Sequence, residues 1–211
     1  MSPLRHPLID ISQPVSSANG AWPGDTPFSF RWTWSMENGS SCNVSAITAS
    51  PHVGTHADAP LHFDPAGPSV GEVELDRYIG PCWVTDGPVE GLVHPHHIEG
   101  IDLARYPRLL FRTRLDDGVG FPSKFVALSP AVAHALAEQD VRLVGLDTPS
   151  MDPFDSKELP AHHALSRARI AILENLVLAH VEPGPYELIA LPLRWMGLDA
   201  SPVRAVLRRL A

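Results

Sequence analysis

Three histidines and one aspartate lie close together in the segment PHVGTHADAPLHF, residues 51–63, which we call the histidine segment. They are His52, His56, Asp58 and His62. Imidazole nitrogen and carboxylate oxygen are donors that zinc-type ions take, and a histidine beside such a site can act as an acid or base. Gly and Pro interrupt helical and strand periodicity here, so we expect a shaped loop. One histidine alone often caps a turn, but four costly polar groups together indicate a shared partner, a divalent metal ion.

A second set of candidate ligands follows about a hundred residues downstream, in LPAHHALSRARIAILENL at 159–176. His162 and His163 are adjacent there, and Glu174 ends an apolar run. A carboxylate at the end of a buried strand requires a cation or hydrogen-bond donors, so these side chains could complete a metal site. The residues alone leave open a second interpretation, a histidine pair at a helix N-terminus and a surface glutamate.

Two other polar segments carry weaker signals. The HPHH run at 94–97 has no carboxylate at ligand spacing except Glu99, and we expect a solvated loop there. The segment GLDTPSMDP at 145–153 follows a predicted strand and could line a pocket, although turn and capping chemistry explain it equally well. Its polar members in question are Asp147, Thr148 and Ser150. The chain contains no Walker or GxGxxG motif, so P-loop and dinucleotide-binding functions lack support.

The composition is that of a folded, acidic protein. With 211 residues, 44% hydrophobic and 19% charged, the chain can form a substantial core, and we expect residues 1–211 to be one domain. The formal charge of −8 disfavours nucleic acid or an anionic membrane surface as a partner. No signal-peptide pattern and no apolar run of ~18 residues is present, so we expect a cytoplasmic protein. Cys42 and Cys82 form no CxxC pair, and we expect both to be reduced.

Short strands separated by turn residues account for most of the predicted secondary structure. One at 43–50 leads into the histidine segment, and one at 170–173 leads into Glu174. Another, at 141–146, is apolar and β-branched, which is typical of a strand buried on both faces. The other predicted strands lie at 8–11, 28–36, 80–85, 109–113 and 186–193.

Few helices are predicted. A Ser-Pro pair indicates a helix start in 129–138, and a shorter helix is expected at 162–169. A second Ser-Pro pair predicts a C-terminal helix over 199–210, whose basic last turn suits the helix dipole. A long Pro/Gly/Ser-rich loop at 13–27 is of the kind that often carries function. The mixture predicts an α/β domain with more strand than a plain doubly wound fold.

The run HVGTHADAPLHF resembles the H-x-G-T-H-x-D-x-P-x-H motif of the metal-dependent cyclase family, which includes the bacterial kynurenine formamidases (arylformamidases). Further segments resemble the same family in the same order, and together they cover nearly the whole chain. They are WPGDTP at 22–27, GLDTPSMDP at 145–153, LPAHHALSRARIAILENL at 159–176 and ALPLRWMGLDASPVRAVL at 190–207. WPGDTP and GLDASPVRAVL are most similar to the kynurenine formamidase branch.

The resemblance implies a fold and a metal centre. The family fold is a single three-layer β/β/α domain with a mixed sheet, and it forms homodimers. Carried over residue by residue, His52, His56 and Asp58 would hold one divalent ion, with Asp58 bridging to a second. His162 and Glu174 would hold the second ion, with Glu174 also bridging. Zinc is the expected metal for both sites, although such a donor set also accepts manganese or cobalt.

The resemblance also implies an activity, an amidohydrolase reaction of tryptophan degradation. N-formyl-L-kynurenine would be hydrolysed to L-kynurenine and formate by water activated at the metal ions. His62 corresponds to the family's proton donor and acceptor, and Trp22 to a residue that lines the substrate pocket.

Two other functions stay open at this point. Another hydrolase of the same family could act on a cyclic amide such as isatin, or on a carbamate or lactone, with the same metal chemistry and a different pocket. A non-catalytic metal-binding module is a different class of function. The presence of His62, which metal binding alone would not require, speaks against the module.

Overall fold

A large mixed sheet dominates the computed structural model, which describes residues 7–116, 121–122 and 124–210. Residues 1–6, 117–120, 123 and 211 of the predicted domain lie outside the described residues. The strands are β1 (Ile9–Asp10), β2 (Ser29–Trp34), β3 (Val44–Thr48), β4 (His56–Asp58), β5 (Ile79–Asp86), β6 (Leu92–Val93), β7 (Arg108–Arg112), β8 (Ala127–Leu128), β9 (Leu143–Leu146), β10 (Ala171–Glu174), β11 (Gly184–Ile189), β12 (Ala200–Pro202) and β13 (Val206–Arg209). The α-helices are α1 (Pro130–Ala137) and α2 (Pro160–Arg167).

Nine of the strands form the main sheet, in the order β1-β13-β11-β5-β7-β9-β10-β4-β12. Neighbours from β5 to β10 run parallel, and the other pairs in this sheet are antiparallel. Two small sheets pair β2 with β3 and β6 with β8. The carboxyl ends of β7, β9 and β10 therefore lie at one edge of the main sheet, and Glu174 ends β10 at that edge.

The main sheet curls until its first strand meets the segment that follows β10. The Val177 amide donates to the Ile11 carbonyl at 2.9 Å, and Ser12 and Leu176 form an isolated bridge. The curl brings the parallel and antiparallel halves face to face over one apolar core. Its large members include Leu110, Leu143, Leu173, Tyr186, Leu188 and Leu207.

Both α-helices cover the other face of the parallel strands. Leu136 of α1 and Leu165 of α2 pack with Val144 and Ile172 in a second apolar cluster. The predicted cap is present, since the Ser129 hydroxyl accepts a hydrogen bond from the Val132 amide at 3.3 Å. Two sheet layers and one helix layer confirm the predicted three-layer β/β/α architecture with a mixed sheet. Among the described residues, no helix has the length and apolarity that crossing a membrane requires.

The predicted C-terminal helix over 199–210 is wrong, because this segment forms β12 and β13. β12 pairs with β4, and β13 pairs with β1 and β11. The buried side chains recur at every second position, which is the period of a strand. They are Val203, Ala205 and Leu207. The Ser-Pro cap is a local signal, and pairing with β1, β4 and β11 outweighs it.

The histidine segment is only partly the loop that its Gly and Pro content predicts. Its centre is β4, a three-residue strand that pairs with β10 on one side and β12 on the other. A strand this short has too little alternation for sequence patterns to reveal it. The HPHH run also differs from the predicted loop, because residues Pro95–Ile98 form a 3₁₀-helix with Ile98 buried.

Candidate metal centre

Strand β4 places its two polar residues on one face of the sheet. His56 and Asp58 are two positions apart and share a face, whereas Ala57 between them lies in the core of the curled sheet. Glu174 is directly opposite His56 in the antiparallel ladder, so its side chain joins the same face. His162, from α2, reaches these carboxylates from the helix layer, as the distances below show.

The first group of donors comes from the histidine segment. His52, in the turn before β4, has its Nδ1 3.2 Å from Asp58 Oδ1. His56 Nε2 lies 3.3 Å from the same oxygen and 3.4 Å from Glu174 Oε2. Two imidazole nitrogens therefore converge on one oxygen of Asp58, and one oxygen of Glu174 lies beside the nitrogen of His56.

A second group uses the other oxygens of the same two carboxylates. His162 Nε2 lies 3.7 Å from Asp58 Oδ2 and 3.4 Å from Glu174 Oε1. Asp58 and Glu174 thus present one oxygen to each group. We call His52, His56, Asp58, His162 and Glu174 the donor cluster; the structure brings together all five residues that the sequence predicts as ligands.

The donor cluster fits a divalent metal on two counts. Ligands at ~2.0–2.2 Å from a tetrahedral ion stand about 3.3–3.6 Å apart, close to the separations found here. Three buried atoms, His56 Nε2 and both Asp58 carboxylate oxygens, also make no hydrogen bond of acceptable geometry within the described part of the chain. Buried polar atoms without a partner are costly, and a bound cation would satisfy all three.

Each histidine of the donor cluster is held through its other ring nitrogen. His56 Nδ1 lies 2.9 Å from the Gly54 carbonyl, and His162 Nδ1 lies 2.6 Å from Asp152 Oδ2. His52 Nε2 lies 2.9 Å from Asp199 Oδ2. An acceptor on the far nitrogen sets the tautomer and orientation of an imidazole that binds metal.

The charges of the donor cluster reinforce one another. Burial lowers the pKa of His52 and His56, but the adjacent carboxylates of Asp199, Asp58 and Glu174 outweigh it and raise these pKa values to about 9 and about 10. Burial raises the pKa of Asp58, but its histidine partners hold that pKa well below the usual range. The Asp58 carboxylate therefore stays ionised, and this buried site favours positive charge.

A cavity of about 470 Å³ opens onto the donor cluster. Trp22, from the predicted long loop, lines it with 36% of its surface exposed, and its ring centroid lies 5.3 Å from Phe121 and 5.1 Å from Phe154. His62 also lines the cavity, with its side chain 33% exposed and its ring centroid 4.3 Å from that of His52. The two residues with predicted roles outside metal binding thus share a cavity with the predicted ligands.

The other predicted candidates lie elsewhere or serve the fold. Ser150 lines the cavity, but Asp147 is buried against Thr113 and the Thr148 hydroxyl donates to the Val126 carbonyl. Within the described residues, neither His163 nor the 94–97 histidines belong to a group of converging metal donors.

Two carboxylates at the centre were not predicted from the sequence. Asp152 accepts hydrogen bonds from the backbone amides of Ala161 and His162, which begin α2, as well as from the His162 ring. Asp199 contacts two histidines of the histidine segment. Asp152 belongs to GLDTPSMDP, a segment that the sequence marks as polar. Asp199 lies at the start of the predicted C-terminal helix, where its sequence context indicates a helix cap.

Comparison with known proteins agrees with this centre. A family model named Cyclase, with the description "Putative cyclase", matches residues 9–153, which is more than half of the chain. The chain belongs to the cyclase family.

Solved structures match this cyclase-family chain over nearly its whole length. One, a potential metal-dependent hydrolase with cyclase activity, is 26% identical and covers 98% of this chain and 99% of its own, with a TM-score of 0.83. A predicted metal-dependent hydrolase from Bacillus stearothermophilus is 26% identical over 96% of this chain and 98% of its own, with a TM-score of 0.82. Isatin hydrolase A from Labrenzia aggregata has the same fold at 23% identity, covering 96% and 93%, with a TM-score of 0.80.

Proposed function

We propose that this cyclase-family chain is a metal-dependent hydrolase that converts N-formyl-L-kynurenine to L-kynurenine and formate. The observation that carries the proposal is the shared cavity, in which an aromatic wall at Trp22 stands over the donor cluster and His62. An aryl formamide has the two parts that this cavity suits, an aromatic ring and a small polar amide. The similarity of WPGDTP and GLDASPVRAVL to the kynurenine formamidase branch favours this substrate.

Two divalent ions, zinc by preference, would occupy the donor cluster. His52, His56 and Asp58 would hold one ion, and His162 and Glu174 the other, with both carboxylates bridging. Bound ions of this kind polarise a carbonyl oxygen and lower the pKa of water from ~15.7 to near neutrality. The tight spacing of the donors and their buried, unpartnered atoms support this assignment.

The other two residues act on the organic part of the substrate. The Trp22 ring would contact the aryl ring of the substrate and orient the formamide toward the donor cluster. Hydrolysis breaks the bond between the formyl carbon and the arylamine nitrogen; water supplies hydroxyl to the carbon, and the nitrogen needs a proton. His62 lines the cavity beside His52 and would deliver that proton.

A substrate panel tests the proposal. The zinc-loaded protein should hydrolyse N-formyl-L-kynurenine with a higher kcat/KM than N-formylanthranilate or isatin. A preference for isatin would instead favour the alternative substrate class, the cyclic amides. This alternative is included because isatin hydrolases are among the structural matches. Removal of metal by a strong chelator should abolish turnover, and zinc should restore it. Full activity with metal content near zero would exclude the proposed chemistry, and bound zinc without turnover of any arylamide would favour a binding module.

A further inference from the structure

The Asp199 carboxylate lies beside the donor cluster and contacts two histidines of the histidine segment. Asp199 Oδ2 lies 2.9 Å from His52 Nε2 and 3.2 Å from His62 Nδ1. The same oxygen therefore contacts a predicted metal ligand and the proposed proton carrier. The two imidazole rings are themselves adjacent, with centroids 4.3 Å apart.

The backbone holds Asp199 in this place from both sides. Its carbonyl accepts a hydrogen bond from the Ala59 amide at 2.8 Å, which continues the pairing of β12 with β4. The carbonyl of the preceding residue, Leu198, accepts from the Val70 amide at 2.8 Å. Because β4 also carries His56 and Asp58, the carboxylate is built onto the same ladder as the donor cluster.

The charge state of Asp199 determines where the protons of its partners lie. The Asp199 side chain is 39% exposed, so its carboxyl group is ionised at neutral pH as an ordinary aspartate is. An ionised carboxylate can only accept hydrogen bonds, so each facing ring nitrogen must carry the hydrogen. His52 then has Nε2–H, which leaves the lone pair of its Nδ1 for a metal ion; His62 has Nδ1–H, and its free lone pair is on Nε2.

We propose that Asp199 is a positioning residue that fixes His62 in its Nδ1–H form and couples that ring to the ligand His52. His62 would then take up and release the transferred proton at Nε2, while Nδ1–H stays bonded to the carboxylate throughout. Without the carboxylate, a neutral imidazole in water is free to populate both tautomers and other orientations. The inference deepens the proposed function and rests on it, because it assumes that His62 carries a proton.

The tautomer of His62 is the first test, and it needs no substrate. Nitrogen NMR of the ¹⁵N-labelled, zinc-loaded protein should show protonated Nδ1 and unprotonated Nε2 for His62 in its neutral form. Asp199→Ala should shift His62 toward the Nε2–H form, and Asp199→Asn, whose amide oxygen still accepts, should largely preserve Nδ1–H. A wild-type His62 with Nε2–H, or a tautomer that Asp199→Ala leaves unchanged, would overturn the proposal.

A double-mutant cycle between Asp199→Ala and His62→Ala is the second test. At saturating zinc, Asp199→Ala should lower kcat about 10–100-fold with KM little changed, as expected for loss of a partner that orients an active-site imidazole. In the His62→Ala protein, Asp199→Ala should lower kcat hardly any further. Asp199→Asn in the wild-type background should retain most of kcat. Asp64→Ala is the matched control, an exposed carboxylate two residues beyond His62 that caps only a local turn through the Ala66 amide.

Two outcomes of the cycle would count against the proposal. Losses that add independently of His62 would show that Asp199 acts elsewhere. A loss of one zinc equivalent in Asp199→Ala would make Asp199 a ligand, not a positioning residue. If the wild-type protein hydrolyses none of the panel substrates, the proposed function fails, and the NMR result still decides what Asp199 does to His62.

Discussion

At the level of single residues, the histidine segment divides its side chains between buried donors and one accessible imidazole. His56 and Asp58 are almost completely buried, whereas the His62 side chain is one-third exposed in the cavity. A group that exchanges protons with substrate needs access, and a metal ligand needs exclusion of competing water. The two kinds of residue should therefore respond differently to substitution.

His62→Ala and Glu174→Ala should separate turnover from metal binding. Glu174→Ala removes an oxygen from both donor groups, so we expect loss of zinc and of activity together. His62→Ala should keep the full zinc content of the wild type and lose about 10²–10⁴-fold in kcat, the usual contribution of a general acid or base. Metal analysis and steady-state kinetics measure the two effects, with the exposed His96→Ala as control. An unchanged kcat in His62→Ala would remove the proton-carrier role.

Trp22→Ala should act mainly on substrate binding. The ring lines the cavity and packs against Phe121 and Phe154, so its removal takes away aromatic surface that substrate and transition state would contact alike. Loss of such uniform binding raises KM and leaves kcat nearly unchanged. We expect KM to rise about tenfold, in line with ~1.4 kcal/mol of lost contact. A fall in kcat at constant KM would instead mean that Trp22 orients the reacting group.

The sequence predicts the residues of the donor cluster better than the contacts that hold them. Three of its five residues lie in the histidine segment, and the resemblance assigns His162 and Glu174 to the same centre, so their convergence could be expected. The contact of Asp199 with His52 joins residues 147 positions apart. That contact depends on the placement of β12 beside β4, which no local pattern reveals, because the same residues also fit a helix cap.

At the level of elements, the carboxyl ends of β7 and β9 are joined by a buried aspartate. Asp147 follows β9 and accepts hydrogen bonds from the Thr113 amide at 2.7 Å, the Thr113 hydroxyl at 2.5 Å and the Arg114 amide at 2.9 Å. Burial nevertheless raises the pKa of Asp147, because desolvation outweighs these bonds. The sequence offered this residue as a pocket candidate, and the structure gives it the turn-bonding role that was the alternative.

The effects of Asp147→Asn and Asp147→Ala on the free energy of unfolding should therefore differ in sign and size. Asp147→Ala leaves buried donors without a partner, and we expect a loss of about 2–4 kcal/mol in the free energy of unfolding. Asp147→Asn keeps an acceptor and removes the buried charge. A raised folded-state pKa means that the wild type gains stability as pH falls through that pKa and loses it as pH rises.

Urea unfolding at a series of pH values measures this difference. The free energy of unfolding of the wild type, relative to Asp147→Asn, should increase as pH is lowered from neutrality toward the ordinary aspartate pKa of ~3.9. Parallel pH profiles for the two proteins would contradict the raised pKa. The control is Asp64→Asn, which changes an exposed carboxylate and should give a pH profile without this difference.

At the scale of the whole molecule, the hairpin of β2 and β3 lacks a cover within the described chain. Phe30, Trp32 and Trp34 are each more than half exposed; Phe30 and Trp32 share one face of β2, and Ile47 of β3 lies opposite Phe30 with 66% exposure. An isolated two-stranded hairpin is marginal in water, and a large exposed apolar face usually marks an interface. We propose that a second copy of the chain covers it, as the expected homodimer requires.

A second exposed apolar segment on the same chain supports this occupant. It precedes Asp199 and comprises Leu191, Leu193, Trp195, Met196 and Leu198. In a two-fold dimer, the hairpin of each copy could cover this segment of the other copy. Two equivalent contacts would then form, and both apolar surfaces of each copy would be buried. Because Leu198 adjoins Asp199, such an arrangement would bring the partner's hairpin to the rim of the centre.

Phe30→Ser together with Trp32→Ser should therefore dissociate the dimer without unfolding the chain. A buried aromatic side chain at an interface often contributes about 2 kcal/mol, and a two-fold dimer loses two copies of it, so each substitution should weaken the dimer Kd about 1,000-fold. Analytical ultracentrifugation over a concentration series measures the shift, and thermal unfolding checks that the monomer stays folded. Arg31→Ser is the matched control, because Arg31 lies between the aromatic residues in sequence and points to the other face of β2. A wild-type chain that stays monomeric at all concentrations would exclude the second copy as the partner, and a double variant that stays dimeric would place the interface on another surface.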